Sequence, residues 1–285
     1  MMLDAMNGGL AAGKEALVQA ARDRLRCILA KLDRAAVAVS GGVDSLTLAA
    51  TASDVMGMRV IMHHATSPAV PGEATERVRQ LARARGWALD IFDAGEFLDE
   101  RYRANPVNRC FFCKTNLYGA IAGRTGSVIL SGTNMDDLGD YRPGLEAAKA
   151  HGVRHPFVEA GIDKSMVRAL AADLGLGDVA ELPSAPCLSS RVETGIAIEA
   201  PVLRMIEEAE ILLRDTLAPH TVRCRVRRAG IVAELDPATL EALTDPLQES
   251  LTRSLVALAE KHGVGPRPVA FAPYRTGSAF LRTGA

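Results

Sequence analysis

The chain has 285 residues, 33 Lys and Arg against 34 Asp and Glu, a formal net charge of −1 and 48% hydrophobic residues. That is enough apolar content for one large core or two ordinary ones, and it excludes a mostly disordered chain. Balanced charge argues against a protein that coats nucleic acid by bulk electrostatics, and 4% aromatic residues argue against a stacking platform for single strands.

The first expected helix runs from Lys14 to Leu32, where Leu17, Val18, Ala21, Leu25, Ile28, Leu29 and Leu32 recur at helical spacing. Ala35 to Val39 is short and apolar and reads as a buried strand. A helix from Leu46 to Met56, a strand from Arg59 to His63, a helix from Glu73 to Arg85 and a strand from Ala88 to Phe92 follow. Then come a helix from Cys110 to Arg124 and a strand from Val128 to Thr133. Strands alternating with helices predict an α/β fold with a parallel, Rossmann-like sheet covered by helices on both faces.

The pattern changes near residue 160. Asp163 caps a helix to Leu174, and a long helix from Pro201 to Leu217 carries proline in its first turn. Two strands, Val222 to Arg228 and Ile231 to Leu235, flank a tight turn at Gly230. Pro237 to His262 reads as helix, and a last strand starts at Val269. The expected organisation is therefore residues 1–160 as an α/β domain and residues 161–285 as a smaller α+β domain. No run reaches the ~20 apolar residues of a membrane span, and the first residues lack a secretory pattern. Five cysteines in a chain of this length point to a reducing, cytoplasmic setting, where paired cysteines serve as ligands or catalysts.

The strongest local signal is Ser40-Gly41-Gly42-Val43-Asp44-Ser45, which joins a buried strand to a helix. Glycines let the backbone approach an oxyanion, and the N–H groups at the helix start point at it. Asp44 would repel a phosphate unless a divalent cation lies between them, which implies Mg²⁺. The bland alternative is an ordinary strand–helix turn. Gly8 to Lys14 fits the spacing of a Walker loop, but Glu15 stands where Ser or Thr should hold Mg²⁺ and no strand precedes it, so it reads as a chance match.

The Ser-Gly-Gly-Val-Asp-Ser loop resembles the pyrophosphatase loop of the ATP pyrophosphatase superfamily. Three further segments are Asn108-Arg109-Cys110-Phe111-Phe112-Cys113-Lys114, Gly132-Thr133-Asn134-Met135-Asp136-Asp137 running on to Arg142, Pro143 and Gly144, and Pro183 to Arg191 around Cys187. Together they resemble the LarE family of ATP-dependent sulfur transferases in nickel-pincer nucleotide biosynthesis, over most of the chain from about residue 14. The resemblance implies that ATP adenylates a carboxylate of a pyridinium dicarboxylate mononucleotide, that pyrophosphate leaves, and that sulfur replaces AMP to give a thiocarboxylate. It implies ATP contacts from Ser40, Gly41, Gly42, Asp44, Ser45, His64, Thr133 and Asn134, with Asp44 holding Mg²⁺. Cys187 matches the family's sulfur-donor, catalytic cysteine. Some members sacrifice that cysteine's sulfur. Others hold a [4Fe-4S] cluster on three cysteines, here Cys110, Cys113 and Cys187. A homo-oligomer is also implied, with a small-molecule nucleotide as substrate and neither nucleic acid nor membrane as partner.

Arg225 and Arg227, two apart in a strand, face one side, and their guanidinium groups suit phosphate and carboxylate. Arg142 and Arg191, in motif loops, are read likewise, against the usual fate of arginine as solvated charge. Asp136 and Asp137 position metal or ribose, or cap their loop. Glu210 faces either the sulfur-donor site or solvent. His63 and His64 read as pocket wall, Cys27 as a small core residue and Cys224 as structural. A tRNA thiolase, an ammonia-using synthetase and a non-catalytic nucleotide-binding module are the alternatives. The absence of an RNA-binding extension or glutaminase-like segment, and the presence of Cys187, weigh against them.

Overall fold

The computed structural model describes residues 2–139, 143–183, 186–265 and 267–280, with side chains from residue 16 onward. In chain order the helices and strands are α1 (Met2–Ala30), β1 (Ala35–Ala38), α2 (Val43–Met56), β2 (Val60–Ala65), α3 (Gly72–Arg85) and β3 (Leu89–Phe92). Next are α4 (Glu100–Arg103), α5 (Arg109–Ala122), β4 (Val128–Leu130), α6 (Pro143–Ala150), α7 (Pro156–Glu159) and α8 (Lys164–Asp173). The remainder comprises α9 (Ala200–Leu217), β5 (Val222–Arg227), β6 (Gly230–Leu235), α10 (Pro237–Glu241), α11 (Asp245–Lys261) and β7 (Val269–Pro273). No helix among the described residues is long and apolar enough to cross a membrane.

Two compact units emerge. The first comprises residues 1–66, 72–94 and 113–185, and the second comprises 67–71, 95–112 and 186–285. The units do not part at residue 160, where the sequence pattern changes. The apolar face of α8, with Val167, Leu170 and Ala171, packs in the same core as Leu25 and Leu29 of α1 and Leu46 and Ala50 of α2. Residues 161–185 therefore belong with the first unit.

The first unit holds a parallel sheet in the order β3-β2-β1-β4. Alternation along β1 sends Ala35 and Val37 into the core shared with α1, α2 and α8. It sends Ala36 to the opposite face, against Tyr118 and Ile121 of α5 and Ala148 of α6. A strand buried on both faces is a continuous apolar run, which is how this segment reads. Because β1 lies between β2 and β4, the strand order reverses at β1, and the crevice beyond the carboxyl ends of β1 and β4 is where such sheets bind ligands. The expected strand to Thr133 stops at Leu130. Residues 131–134 leave the ladder because Asn134 caps a short 3-10 turn, Met135–Leu138.

The second unit holds a three-stranded sheet in the order β5-β6-β7, with β5 and β6 antiparallel and β7 parallel to β6. Gly230 sits at φ 144, where a Cβ would lie 2.3 Å from the Pro268 carbonyl oxygen, so only glycine lets β6 start against that segment. The helix expected over 237–262 is two helices, because Asp236 caps α10 while Thr244, followed by Asp245 and Pro246, starts α11 afresh. Gly8 to Lys14 lies within the continuous helix α1 and forms no loop after a strand.

Candidate active site

In the first unit the glycine loop spans the gap between β1 and α2. Gly41 has φ +83, and a Cβ there would lie 2.6 Å from the Ala74 carbonyl oxygen on α3. Its own carbonyl accepts from Arg77 at 2.8 Å. Gly42 is the N-cap of α2 and brings no side-chain cap, so the first N–H groups of the helix face outward with the positive end of its dipole. Ser45 Oγ accepts from the Ser40 N–H at 3.0 Å, donates to the Gly42 carbonyl at 3.1 Å and lies 3.1 Å from Ser40 Oγ. The two hydroxyls lock the loop in a single shape.

The end of β4 closes the other side. At Gly132 a Cβ would lie 2.8 Å from the Asp44 carbonyl carbon and the Ser45 nitrogen, so glycine is required for β4 to approach α2. Asn134 Nδ2 donates to Asp44 Oδ1 at 3.1 Å, and Lys164 Nζ meets Asp44 Oδ2 at 2.5 Å. Thr133 Oγ1 lies 3.0 Å from Ser131 Oγ, which lies 2.7 Å from His155 Nδ1. Burial holds His155 below its ordinary pKa, against the nearby Glu159 and Asp137 carboxylates.

The loop-capping reading of the acidic pair accounts for their contacts. Asp136 Oδ2 accepts from the Lys164 N–H at 3.0 Å, and Asp137 Oδ2 accepts from the Asn134 N–H at 3.0 Å. Together with Asp163, which accepts from the Met166 N–H at 2.8 Å, they fix the start of α8 and so carry Lys164 to Asp44. Lys164 is the residue that sequence reasoning missed. It lies 120 positions beyond Asp44, and its only local signal is the cap before it.

His64 faces inward. Its Nδ1 is 2.8 Å from the Val39 carbonyl and its Nε2 is 2.9 Å from Thr75 Oγ1, so the ring braces β1 against α3. Burial lowers its pKa, outweighing the Val39 contact, which raises it. His63 is also lowered by burial, in spite of Asp90 at 3.2 Å, and its Nε2 is buried without a hydrogen bond. For Mg²⁺ the donor chemistry fits, since Asp44 offers hard oxygen at the mouth of the loop.

In the second unit Cys187 is half-buried and precedes a 3-10 turn, Leu188–Arg191. Arg191 is buried and grips Glu210 of α9, while its Nη1 donates to the carbonyls of Pro186 and Cys187. Glu210 is thus buried, and the solvent alternative is excluded. Arg225 donates to Glu234 Oε2 at 2.9 Å and to the Ser190 carbonyl at 3.1 Å. Arg227 donates to Glu234 Oε1 at 2.6 Å, an atom that also accepts from Ser278. These arginines have protein partners and do not stand as open charges, although Arg227 keeps partial exposure. Arg142 lies outside the described residues.

Cys110 and Cys113 are half-buried, one turn apart at the start of α5. Among the described residues no three His, Cys, Asp or Glu side chains are gathered to hold a metal ion. Cys224 is fully buried, which pushes its thiol far up, as a structural residue should be. Cys27 is exposed, which corrects its reading as core, because Leu25 and Leu29 take the buried face of α1.

Comparison with known proteins follows the same lines. The chain is 33% identical over 236 residues, 81% of this chain and 82% of the relative, to the pyridinium-3,5-bisthiocarboxylic acid mononucleotide synthase of Lactiplantibacillus plantarum. It is 37% identical over 229 residues to an uncharacterized protein of Synechocystis, covering 79% of this chain and 85% of that one. An uncharacterized protein of Methanocaldococcus jannaschii is 27% identical over 183 residues, 63% of this chain and 69% of its own. No protein-family model matches the chain.

Proposed function

The chain belongs to the LarE family of sulfur-transferring synthases, and from that premise we propose that it uses ATP to turn a carboxylate of a pyridinium dicarboxylate mononucleotide into a thiocarboxylate. The observation that carries the ATP step is the uncapped start of α2 beside Asp44, with Lys164 and Asn134 on that carboxylate. The N–H groups of α2 bind the triphosphate, and Lys164 neutralises charge that develops as pyrophosphate leaves. Asp44 would hold Mg²⁺, which when bound offsets phosphate charge. The substrate carboxylate attacks the α-phosphorus, giving an acyl adenylate and pyrophosphate.

The Cys187 thiolate then attacks the acyl carbon and expels AMP, leaving a thioester. Loss of the Cys187 Cα proton to a base breaks the Cβ–S bond, releases the thiocarboxylate and leaves dehydroalanine. Arg191 holds the carbonyls of the peptides entering and leaving Cys187, so the sulfur approaches from a held backbone. The one-turn spacing of Cys110 and Cys113 favours a second source of sulfur. In that reading the two thiols and Cys187 would hold an iron–sulfur cluster, the soft donors suiting iron.

The test is turnover of the purified chain with Mg·ATP and the dicarboxylate mononucleotide, reading pyrophosphate and product mass. Wild type should release pyrophosphate and gain sulfur in the product, and Cys187→Ala should keep the first and lose the second. Loss of about 34 mass units from the chain, one sulfur and two hydrogens as Cys187 becomes dehydroalanine, identifies sacrifice of its sulfur to the product. Iron bound anaerobically at about four per chain, and lost in Cys110→Ala, identifies the cluster. Absence of pyrophosphate release from wild type refutes the proposal.

A further inference from the structure

Arg109 opens α5, within the second unit, and only 2% of it is exposed. Its charge is permanent. The other deeply buried arginines of this unit each face a carboxylate, Arg191 on Glu210 and Arg225 on Glu234. Arg109 does not. Its Nη1 donates to Asn105 Oδ1 at 2.6 Å, and the Phe280 ring centroid lies 4.8 Å from its Cζ. Among the described residues no Asp or Glu forms an ion pair with it. A neutral amide oxygen and a ring face offset only part of what it takes to strip a guanidinium of water.

The surroundings are built and not loose. Asn105 has φ +53, an uncommon backbone for a residue with a side chain. Its Nδ2 donates to the carbonyls of Glu193 and Ile196, both at 2.9 Å. Thr194 N–H donates to the Ala279 carbonyl at 3.0 Å, which sets Phe280 over the guanidinium. Two segments distant in sequence, one holding Asn105 and the other carrying Phe280, therefore close around this cation, and the residue covering it is a 39% exposed phenyl ring in place of an acid.

We propose that Arg109 is an anion receptor, whose planar fork takes a carboxylate or phosphate group of a small ligand when Phe280 moves aside. The fork matches two oxygens of either group, and the ligand brings the counter-charge that the chain omits. That the anion belongs to the mononucleotide substrate rests on the proposed function. That an oxyanion binds there does not.

The test needs neither ATP nor turnover, so its failure and that of the proposed reaction are distinguishable. Phe280→Trp places a fluorophore on the guanidinium. The variant is titrated with inorganic phosphate and, separately, with pyridine-3,5-dicarboxylate. The expected result is a saturable change with at least one anion, weakened tenfold or more in Arg109→Met/Phe280→Trp. If Arg109→Met does not fold, Arg109→Lys replaces it, keeping the charge and losing the fork, with weaker half-saturation expected. No response to either anion in Phe280→Trp, or the same half-saturation after the Arg109 change, overturns the proposal.

Discussion

Arg191 and Glu210 meet in a two-point ion pair, Nε to Oε1 at 2.9 Å and Nη2 to Oε2 at 3.0 Å, with both side chains 4% exposed. The remaining nitrogen of the same guanidinium holds the carbonyls of Pro186 and Cys187 at 2.5 and 3.2 Å. Glu210 Oε1 also accepts from the Cys224 N–H at 3.0 Å. One carboxylate thus ties the loop of Cys187 to both α9 and β5. Removing it strands a buried cation. Glu210→Ala should cost about 3–5 kcal/mol in urea unfolding, whereas Arg191→Met/Glu210→Leu should recover most of that loss. The double variant should still fail in sulfur transfer, because it lacks the guanidinium that holds the Pro186 and Cys187 carbonyls together, leaving the Cys187 carbonyl only its bond from the Ser190 N–H. Stability and transfer that recover together would show that the pair does not position the loop.

Lys164 and Asp44 form a partly exposed pair. Such pairs contribute under about 1 kcal/mol to stability. Lys164→Met should therefore leave the melting temperature within a few degrees of wild type. Pyrophosphate release should nevertheless fall by about two orders of magnitude, the usual effect of removing a charge that stabilises a transition state. Melting curves and a pyrophosphate assay on one preparation decide it.

Gly41→Ala meets both a left-handed φ and a carbonyl oxygen 2.6 Å away. Gly132→Ala meets the backbone of Asp44 and Ser45 at 2.8 Å without a positive φ. Each should lower stability by about 1–3 kcal/mol. Each should also weaken ATP-dependent pyrophosphate release more than a surface Gly126→Ala, where no atom lies within 4 Å of the added carbon. Equal rates in all three would detach the loop from ATP.

His63, His64 and His155 all have pKa values lowered from 6.5 by burial. The unfolded chain then binds protons more readily than the folded one. The stability these rings contribute is present above about pH 6.5 and is lost as the pH falls toward their folded values. Melting temperature should accordingly drop between pH 7 and pH 5. His64→Gln should flatten that slope, and a slope that is unchanged would assign the loss to other groups.

The cysteines should separate by accessibility. Cys27, exposed, should alkylate in the native protein, and Cys224, buried with its thiol pushed up, only after unfolding. Peptide mass mapping before and after denaturant reads the difference.

Much of this was legible from residue order. The β1–α2 turn announced itself because apolar strand, glycine pair and helix are contiguous, and periodicity located α1, α5 and α9. What stayed hidden depends on distant partners. The choice between a capping and a ligand role for Asp136 turns on its contact with the Lys164 N–H, and the buried grip of Arg191 on Glu210 needs α9 folded back over the loop. A lone charged letter carries no sign of whether it will face water or a counter-ion. The short helices α4, α6 and α7 escaped because four to eight residues give too little periodicity to register.

The backbone passes between its two compact units five times, at residues 66, 71, 94, 112 and 185. Neither unit is therefore a single stretch of gene. No one truncation yields either of them, and a transplant into another scaffold would have to carry several separate strips of sequence. The second unit must also wait for residues 186–285 to be synthesised, while strips 67–71 and 95–112 emerge early. The ribosome thus releases a first unit from which loose ends still hang, and those ends find their place only after residues 186–285 have followed them out.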